Sequence, residues 1–315
     1  MGRIRHFYEE ESWGDFLNVA NYGKSVLDDL GLSRSSRNED KRFTGSSSYR
    51  AAQKLAEEGW PEGRKKMEEI KDQITEELIS IYPKDEILWD VTGEQVDSGT
   101  FLTGEPECFM IFNKTVGEGL GIVNILCNAA ASCGIPTELI ENRGAALLSL
   151  IDVLEDLGFR VRVTLGQAVT GYVGGGGGSK SSIYEVIFPL KHESQHLDID
   201  RLAFCLAHPS FLRRMVFSYE ETMPEEILKA YGFGCGCLDG HYLGGYGTPA
   251  AFSADTLEKY GADFSMPHMH SEYELADNFK TPKKAAAWVK KSLKETILCN
   301  SNIRQEKKDQ MMEEL

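Results

Sequence analysis

No apolar stretch in these 315 residues approaches the ~20 needed for a membrane-spanning helix. The amino terminus, Met1-Gly2-Arg3-Ile4-Arg5, runs into polar sequence instead of the apolar segment of an export signal. Gly2 does not read as a myristoylation site, because His6 stands where Ser or Thr is required. Cysteine is scarce and odd in number, seven, with no framework spacing, so reduced thiols in a cytosol are expected. Basic residues are outnumbered, 34 Lys and Arg against 49 Asp and Glu, giving a net charge of −15. That balance excludes a protein that coats duplex DNA with its whole surface, but it leaves room for a local cationic groove. Internal repeats are absent. The glycine run Gly171–Gly178 lacks the Gly-Lys-Ser/Thr ending of a phosphate loop.

What is present is clearest between Thr137 and Phe217. Thr137 can cap a helix whose apolar residues Ile140, Leu147, Leu148, Ile151 and Leu154 recur at the helical period, with Gly158 as its stop. Phe159, Val161, Val163 and Leu165 alternate with Arg160, Arg162 and Thr164 as in a half-buried strand. Gly174 to Gly178 read as a hairpin tip before a second strand, Ile183 to Phe188. Upstream, helices are expected near 11–20, 48–59 and 61–81, the last opened by Pro61, with 31–48 a Ser/Gly/Arg loop too polar to pack. Strands are expected at Ile87–Val91, Cys108–Phe112 and Ile122–Ala129. Downstream, Asp198 or Asp200 starts a helix that Pro209 restarts, and Pro224 opens a short one. Residues 232–281 read as an irregular glycine-rich excursion, Pro282 to Leu298 as a helix, and 300–315 as a polar tail. The fold class is therefore α/β with a mixed sheet flanked by helices, divided as 1–85 (helical), 86–299 (sheet and helix core) and 300–315.

Two islands run against the acidic average. Residues 33–50 carry Arg34, Arg37, Lys41, Arg42 and Arg50 against Glu39 and Asp40, a net +3, beside Phe43 and Tyr49 and close to Trp60. Cations that track phosphates and aromatics that stack bases are the means of holding a single strand. Arg160 and Arg162 add a cationic strand face that is costly unless wet or bound to an anion. Tyr172 and Lys180 flank the glycine hairpin, which could reach around a strand of nucleic acid. The second island, residues 280–294, holds Lys280, Lys283, Lys284, Lys290, Lys291 and Lys294 and no acid. It reads as an amphipathic surface helix with Ala285, Ala286, Val289, Leu293 and Ile297 inward, and it is the competing location for a phosphate contact.

Two groups resemble metal sites. His192-Glu193-Ser194-Gln195-His196 has the spacing of a zinc hydrolase, with two imidazoles as ligands and a glutamate as general base. It follows a strand and Pro189 with hardly a turn of helix available, so a strand-to-helix connector is expected. Cys235, Cys237, His241, His268 and His270 could supply structural zinc ligands, but their spacing matches no standard knuckle or ribbon, and thiols in a glycine-rich turn are expected. Asp90-Val91-Thr92-Gly93 lacks the Asp-x-Ser-x-Ser pattern of a metal-dependent adhesion loop. No metal or other cofactor is expected.

Several segments carry a resemblance. They are Ser35-Ser36-Arg37 leading to Phe43-Thr44-Gly45, Gly59-Trp60-Pro61-Glu62-Gly63, Trp89-Asp90-Val91-Thr92-Gly93, Leu102-Thr103-Gly104-Glu105-Pro106-Glu107, and Arg143-Gly144-Ala145-Ala146. Asp198 to Phe204, Ala207-His208-Pro209 and Arg213-Arg214 follow. In order and spacing they resemble a family of uncharacterised tailed-phage proteins over about residues 10–235, and within it the single-stranded-DNA-binding RNA polymerase cofactors of podoviruses with a virion polymerase. That resemblance implies a fold unlike the OB-type binders, location in the host cell cytoplasm, binding to unwound promoters, and recruitment of a phage-encoded RNA polymerase. The expected function is thus a non-enzymatic single-stranded-DNA-binding transcription cofactor, with a zinc-dependent hydrolase and a structural phage adaptor as alternatives. The sequence is compatible with a homo-oligomer and does not specify one.

Overall fold

The computed structural model describes residues 4–37, 40–78, 86–93, 95–113, 121–173, 180–299 and the single residues 305, 308, 309 and 312. Ile4–Glu9 forms a strand, β1, that the polar reading of the amino terminus does not anticipate. Helix α1 (Trp13–Tyr22) follows, capped by the Ser12 hydroxyl, then the single turns α2 (Val26–Asp29) and α3 (Lys41–Thr44). Next come α4 (Tyr49–Glu58) and α5 (Pro61–Leu78), close to the expected bounds. The strands β2 (Glu86–Asp90), β3 (Gln95–Val96) and β4 (Phe109–Asn113), with the short helix α6 (Ser98–Leu102), make a separate antiparallel sheet in the order β2-β4-β3.

The main sheet begins with β5 (Ile122–Asn128), from which the chain crosses through α7 (Thr137–Asp156) to β6 (Arg160–Val173), parallel to β5. The Thr137 cap is not made: Pro136 is the N-cap, and it supplies no side-chain bond. Strand β7 (Lys180–Lys191) returns antiparallel to β6, and β1 closes the edge parallel to β7. The tip of the hairpin, 174–179, lies outside the described residues.

After β7 come α8 (Ile199–Ala207), capped by Asp198, a π-helical turn over Phe211–Val216, α9 (Phe217–Glu220) and α10 (Glu225–Tyr231). The stretch 232–281 is not irregular. It contains the hairpin β8 (Gly236–Leu238) and β9 (His241–Leu243), then β10 (Thr248–Pro249), α11 (Ala254–Tyr260), β11 (Phe264–Met266) and α12 (Glu272–Phe279). Strand β11 completes the main sheet, ordered β1-β7-β6-β5-β11, and α13 (Pro282–Cys299) ends the regular structure. The short strands were hidden because two or three residues among glycines show no periodicity; the partners they pair with define them. Most of the tail, 300–315, lies outside the described residues. Among the described residues no helix is long and apolar enough to cross a membrane.

Alternation along the strands divides their side chains between two cores. Val123, Ile125 and Cys127 of β5, Val161, Val163 and Leu165 of β6, and Tyr184, Val186 and Phe188 of β7 face one large core. Leu126, Ala168 and Ile187 point the other way and are covered by Phe252 with Tyr260. Thirteen residues of α7 are buried, and α5, α8, α12 and α13 pack around it. Burying each large apolar side chain contributes about 1.5–3 kcal/mol, so this helix is the principal anchor. Gly144 sets how closely α8 approaches: a Cβ there would lie 2.3 Å from Ala207 Cα. The amino-terminal helices bury Phe16, Ala20, Ala52 and Ile70 in the same core.

Candidate functional site

The 31–48 loop does pack, contrary to its polar composition. Arg214, wholly buried on the π-helical turn, donates from Nε to Ser46 Oγ (2.8 Å) and from a terminal nitrogen to the Ser36 carbonyl (2.9 Å). Its other terminal nitrogen reaches Thr44 Oγ1 and the Ser46 carbonyl, both at 3.0 Å. Only an arginine supplies five donors in a planar fork, and here the fork replaces the regular hydrogen bonding that the loop lacks. Neighbouring Arg213 donates to the Phe43 carbonyl (2.7 Å) and the Ile135 carbonyl (3.0 Å). From the acidic side, Glu221 accepts from the Ser36 amide (3.0 Å) and hydroxyl (2.5 Å). Ser36, Thr44 and Ser46 are buried in consequence.

This anchoring sorts the candidate DNA-binding residues. Tyr49 is buried, its hydroxyl donating to the Ala20 carbonyl (2.8 Å) and Asn21 Oδ1 (3.0 Å), so it offers no free ring to a base. Instead its ring carries the Arg37 guanidinium 3.3 Å from the centroid. Burial, with Arg34 acting in the same sense, lowers the Arg37 pKa from the ordinary arginine value. Trp60 is likewise buried, edge-on to His208 at 4.8 Å, because the core closes over the start of α5. Arg34 is paired with Asp28 and donates to the Gly23 carbonyl (3.3 Å). Lys41, Arg42 and Arg50 are exposed.

Arg34 and Arg37 nevertheless meet in one place, an open groove of about 420 Å³ lined by Asn21, Tyr22, Gly23, Asp28 and the two arginines. Tyr22 is 77% exposed there, and Lys24 beside it is exposed as well. Neither was singled out from the sequence. The available signal was the apolar stripe of α1, which runs through Phe16 and Ala20 and leaves Tyr22 off the buried face. The groove therefore offers one exposed aromatic ring and a guanidinium placed over a second ring.

The strand residues do not join it. Arg162 is claimed by Glu193 through two bonds of 2.8 and 2.9 Å, which holds that carboxyl down at about 2. The cationic face that demanded an anion has one within the chain. Arg160 is exposed at the start of β6, whereas Tyr172, 68% exposed, stands near its far end with Lys180 across the ladder. Twelve residues of strand separate Arg160 from Tyr172, roughly 40 Å, so they cannot share a groove that binds a few nucleotides. On α13, Ala285, Ala286, Val289, Leu293 and Ile297 are buried and Lys283, Lys284 and Lys291 exposed, as the amphipathic reading requires.

Neither metal-like motif assembles. Residues 192–196 form a turn closed by the Gln195 amide on the His192 carbonyl (3.0 Å), not a helix, so the two imidazoles do not share a helical face. Glu193 is held by Arg162, and His192 Nδ1 lies 2.9 Å from Ser194 Oγ. Cys235, Cys237 and His241 sit on the β8–β9 hairpin, while His268 and His270 follow β11. Among the described residues no group of three His, Cys, Asp or Glu is placed to hold a metal ion.

No curated protein and no solved structure has significant similarity to the chain. Residues 3–296 match the model of a family described as a domain of unknown function, DUF7192, and with nearly its whole length covered the chain belongs to that family.

Proposed function

We propose that the protein binds single-stranded nucleic acid in the groove of Tyr22, Arg34 and Arg37. The observation that carries this reading is that the exposed Tyr22 ring lines one groove with Arg37, whose guanidinium lies 3.3 Å from the Tyr49 ring centroid. A tyrosine face and an arginine plane both stack on unpaired bases, and the arginine also attracts the backbone. Lys24, two positions after Tyr22 in the chain, is exposed and adds positive charge. The resemblance to podovirus polymerase cofactors supports DNA as the strand, a phage-encoded RNA polymerase as the partner and the host cytoplasm as the location.

Titration of labelled oligonucleotides over a salt series tests the reading. Single strands should bind more tightly than duplex of equal length, and log affinity should fall with log salt by roughly 0.7 per phosphate neutralised. Arg37→Ala should flatten that dependence. Equal or tighter binding to duplex, or no binding at low salt, sinks the proposal.

A further inference from the structure

A second opening shares no lining residue with the groove, although Ser35, next to Arg34, stands in its wall; it lies beyond the carboxyl end of β5, where ligands of open α/β sheets gather. It encloses about 400 Å³, within the ~300–1,000 Å³ of small-molecule sites. Its walls come from the loop after β5 (Ser132, Cys133), from β6, from the π-helical turn and from the glycine loop 244–247.

Four features distinguish this cleft, although Tyr246 also donates its hydroxyl to Glu221 behind the wall. Gln167 occupies a register position between Leu165 and Val169, both of which face the large core. It is 2% exposed, and its buried Oε1 accepts no hydrogen bond among the described residues. An orphaned buried acceptor costs about 1–3 kcal/mol, which a bound donor would recover. Second, Arg213 is 3% exposed and its contacts are main-chain carbonyls and the Phe43 ring, 4.3 Å away, not a carboxylate. Among the described residues no Asp or Glu lines the cleft, so the positive charge in its wall is met by carbonyls and not by a carboxylate. Third, Phe217 and Tyr246 form a stacked aromatic wall with centroids 3.6 Å apart. Fourth, Tyr246 is held at φ +48, a conformation that costs a non-glycine residue on the order of 1 kcal/mol or more and clusters at ligand clamps. Gly247 lets the loop lie on β6, because a Cβ there would come within 2.8 Å of Val169 Cβ.

We infer that this cleft binds a small organic anion of the mononucleotide class. The anionic group answers Arg213, the planar ring lies against the aromatic wall, and the ring's donor–acceptor edge pairs with the Gln167 carboxamide, itself one donor and one acceptor face. The site is independent of the nucleic-acid groove and does not rest on it.

Cys133 is exposed and lines the cleft, so its alkylation by iodoacetamide, read by mass spectrometry on the full chain, reports occupancy. The probes are the four common nucleoside 5′-monophosphates, with inorganic phosphate as a separate arm. At ten times its Kd, at least one nucleotide should slow Cys133 alkylation about tenfold by mass action, leaving exposed Cys299 unaffected. Gln167→Leu, which places an apolar side chain at a core-facing position, should stay folded and raise the nucleotide's Kd at least tenfold, leaving about twofold protection or less at the same concentration. Arg37→Ala should leave it intact. Protection by none of the nucleotides at millimolar concentration, or equal protection by phosphate alone, overturns the assignment. Full protection in Gln167→Leu overturns the base-edge contact, and loss of protection in Arg37→Ala overturns the separation of the two sites.

Discussion

Residues 33–50 and 280–294 both carry more cations than acids, yet one is tied to the interior and the other lies along the surface. In the first, Arg34 pairs with Asp28, Arg37 lies on Tyr49, and the backbone is gripped by Arg214 from another element. In the second, Lys284 approaches Asp277 only to 3.9 Å and Lys291 approaches Glu295 to 3.8 Å. The difference follows from side-chain chemistry. A guanidinium can satisfy several carbonyls in one plane and is weakly hydrated, whereas an ammonium keeps its water and lets only its stem lie on apolar surface. Local charge thus marks a surface helix reliably, but it does not mark an arginine-rich loop as free.

The severest way to break this contrast is to remove the grip. Arg214→Met should orphan the Ser36 and Ser46 carbonyls in the interior and cost about 4 kcal/mol or more, seen as a lowered urea midpoint. A loss below about 1 kcal/mol would mean that the loop is held by something other than Arg214.

The acidic side of the same anchor gives the next effect. Glu220, beside the Glu221 that holds Ser36, is fully buried with both carboxyl oxygens unpartnered among the described residues, and burial raises its pKa well above the ordinary value. Its folded form therefore keeps a proton that the unfolded chain loses, so its contribution is complete below the unfolded pKa and declines as pH rises through the range up to the folded pKa. Denaturation at successive pH values above about 4.5 should show a fall approaching 1.4 kcal/mol per pH unit from this group. Glu220→Gln should flatten that slope; an unchanged slope would show that Glu220 is not its source.

Smaller, and confined to binding, is the effect of the groove. Tyr22→Ala should cost about 1–3 kcal/mol in single-strand affinity with the salt dependence nearly intact, because stacking releases no ions. Its thermal midpoint should hardly move, since the ring is exposed. The smallest effect belongs to the lysine helix. Lys283→Ala with Lys291→Ala should change stability by less than about 0.5 kcal/mol and leave oligonucleotide affinity unaltered. Normal binding by Tyr22→Ala with Arg37→Ala, together with loss on neutralising the lysines, would transfer the interface to α13.

Elements with a strong local pattern were legible in the sequence: α5, α7 and α13, the β6–β7 pair, and the start of α8 at Asp198 or Asp200, of which Asp198 is the cap. Their apolar periods are long enough to outweigh local noise. β1 and β11 were not legible, because an edge strand of polar and apolar residues and a three-residue strand acquire identity only from β7 and β5. Of the residues singled out in the sequence, Arg34 and Arg37 line the groove, Tyr49 and Trp60 are core residues, and Tyr22, which also lines the groove, was not singled out.

The sequence by itself determined the mixed α/β class, the amphipathic lysine helix and the excess of negative charge, since each follows from composition or from neighbours within a few residues. Tertiary structure decided which charges are free. Arg162 and Glu193 lie 31 positions apart, Arg214 and Ser36 178 apart, and neither pairing leaves a local trace. The same holds for the cleft, where Gln167 is an ordinary polar residue in the chain and becomes an orphaned acceptor only when β6 faces the π-helical turn and the glycine loop closes over it. Periodicity is set by backbone geometry over one element, whereas burial and pairing are set by whichever distant surface the fold brings against it.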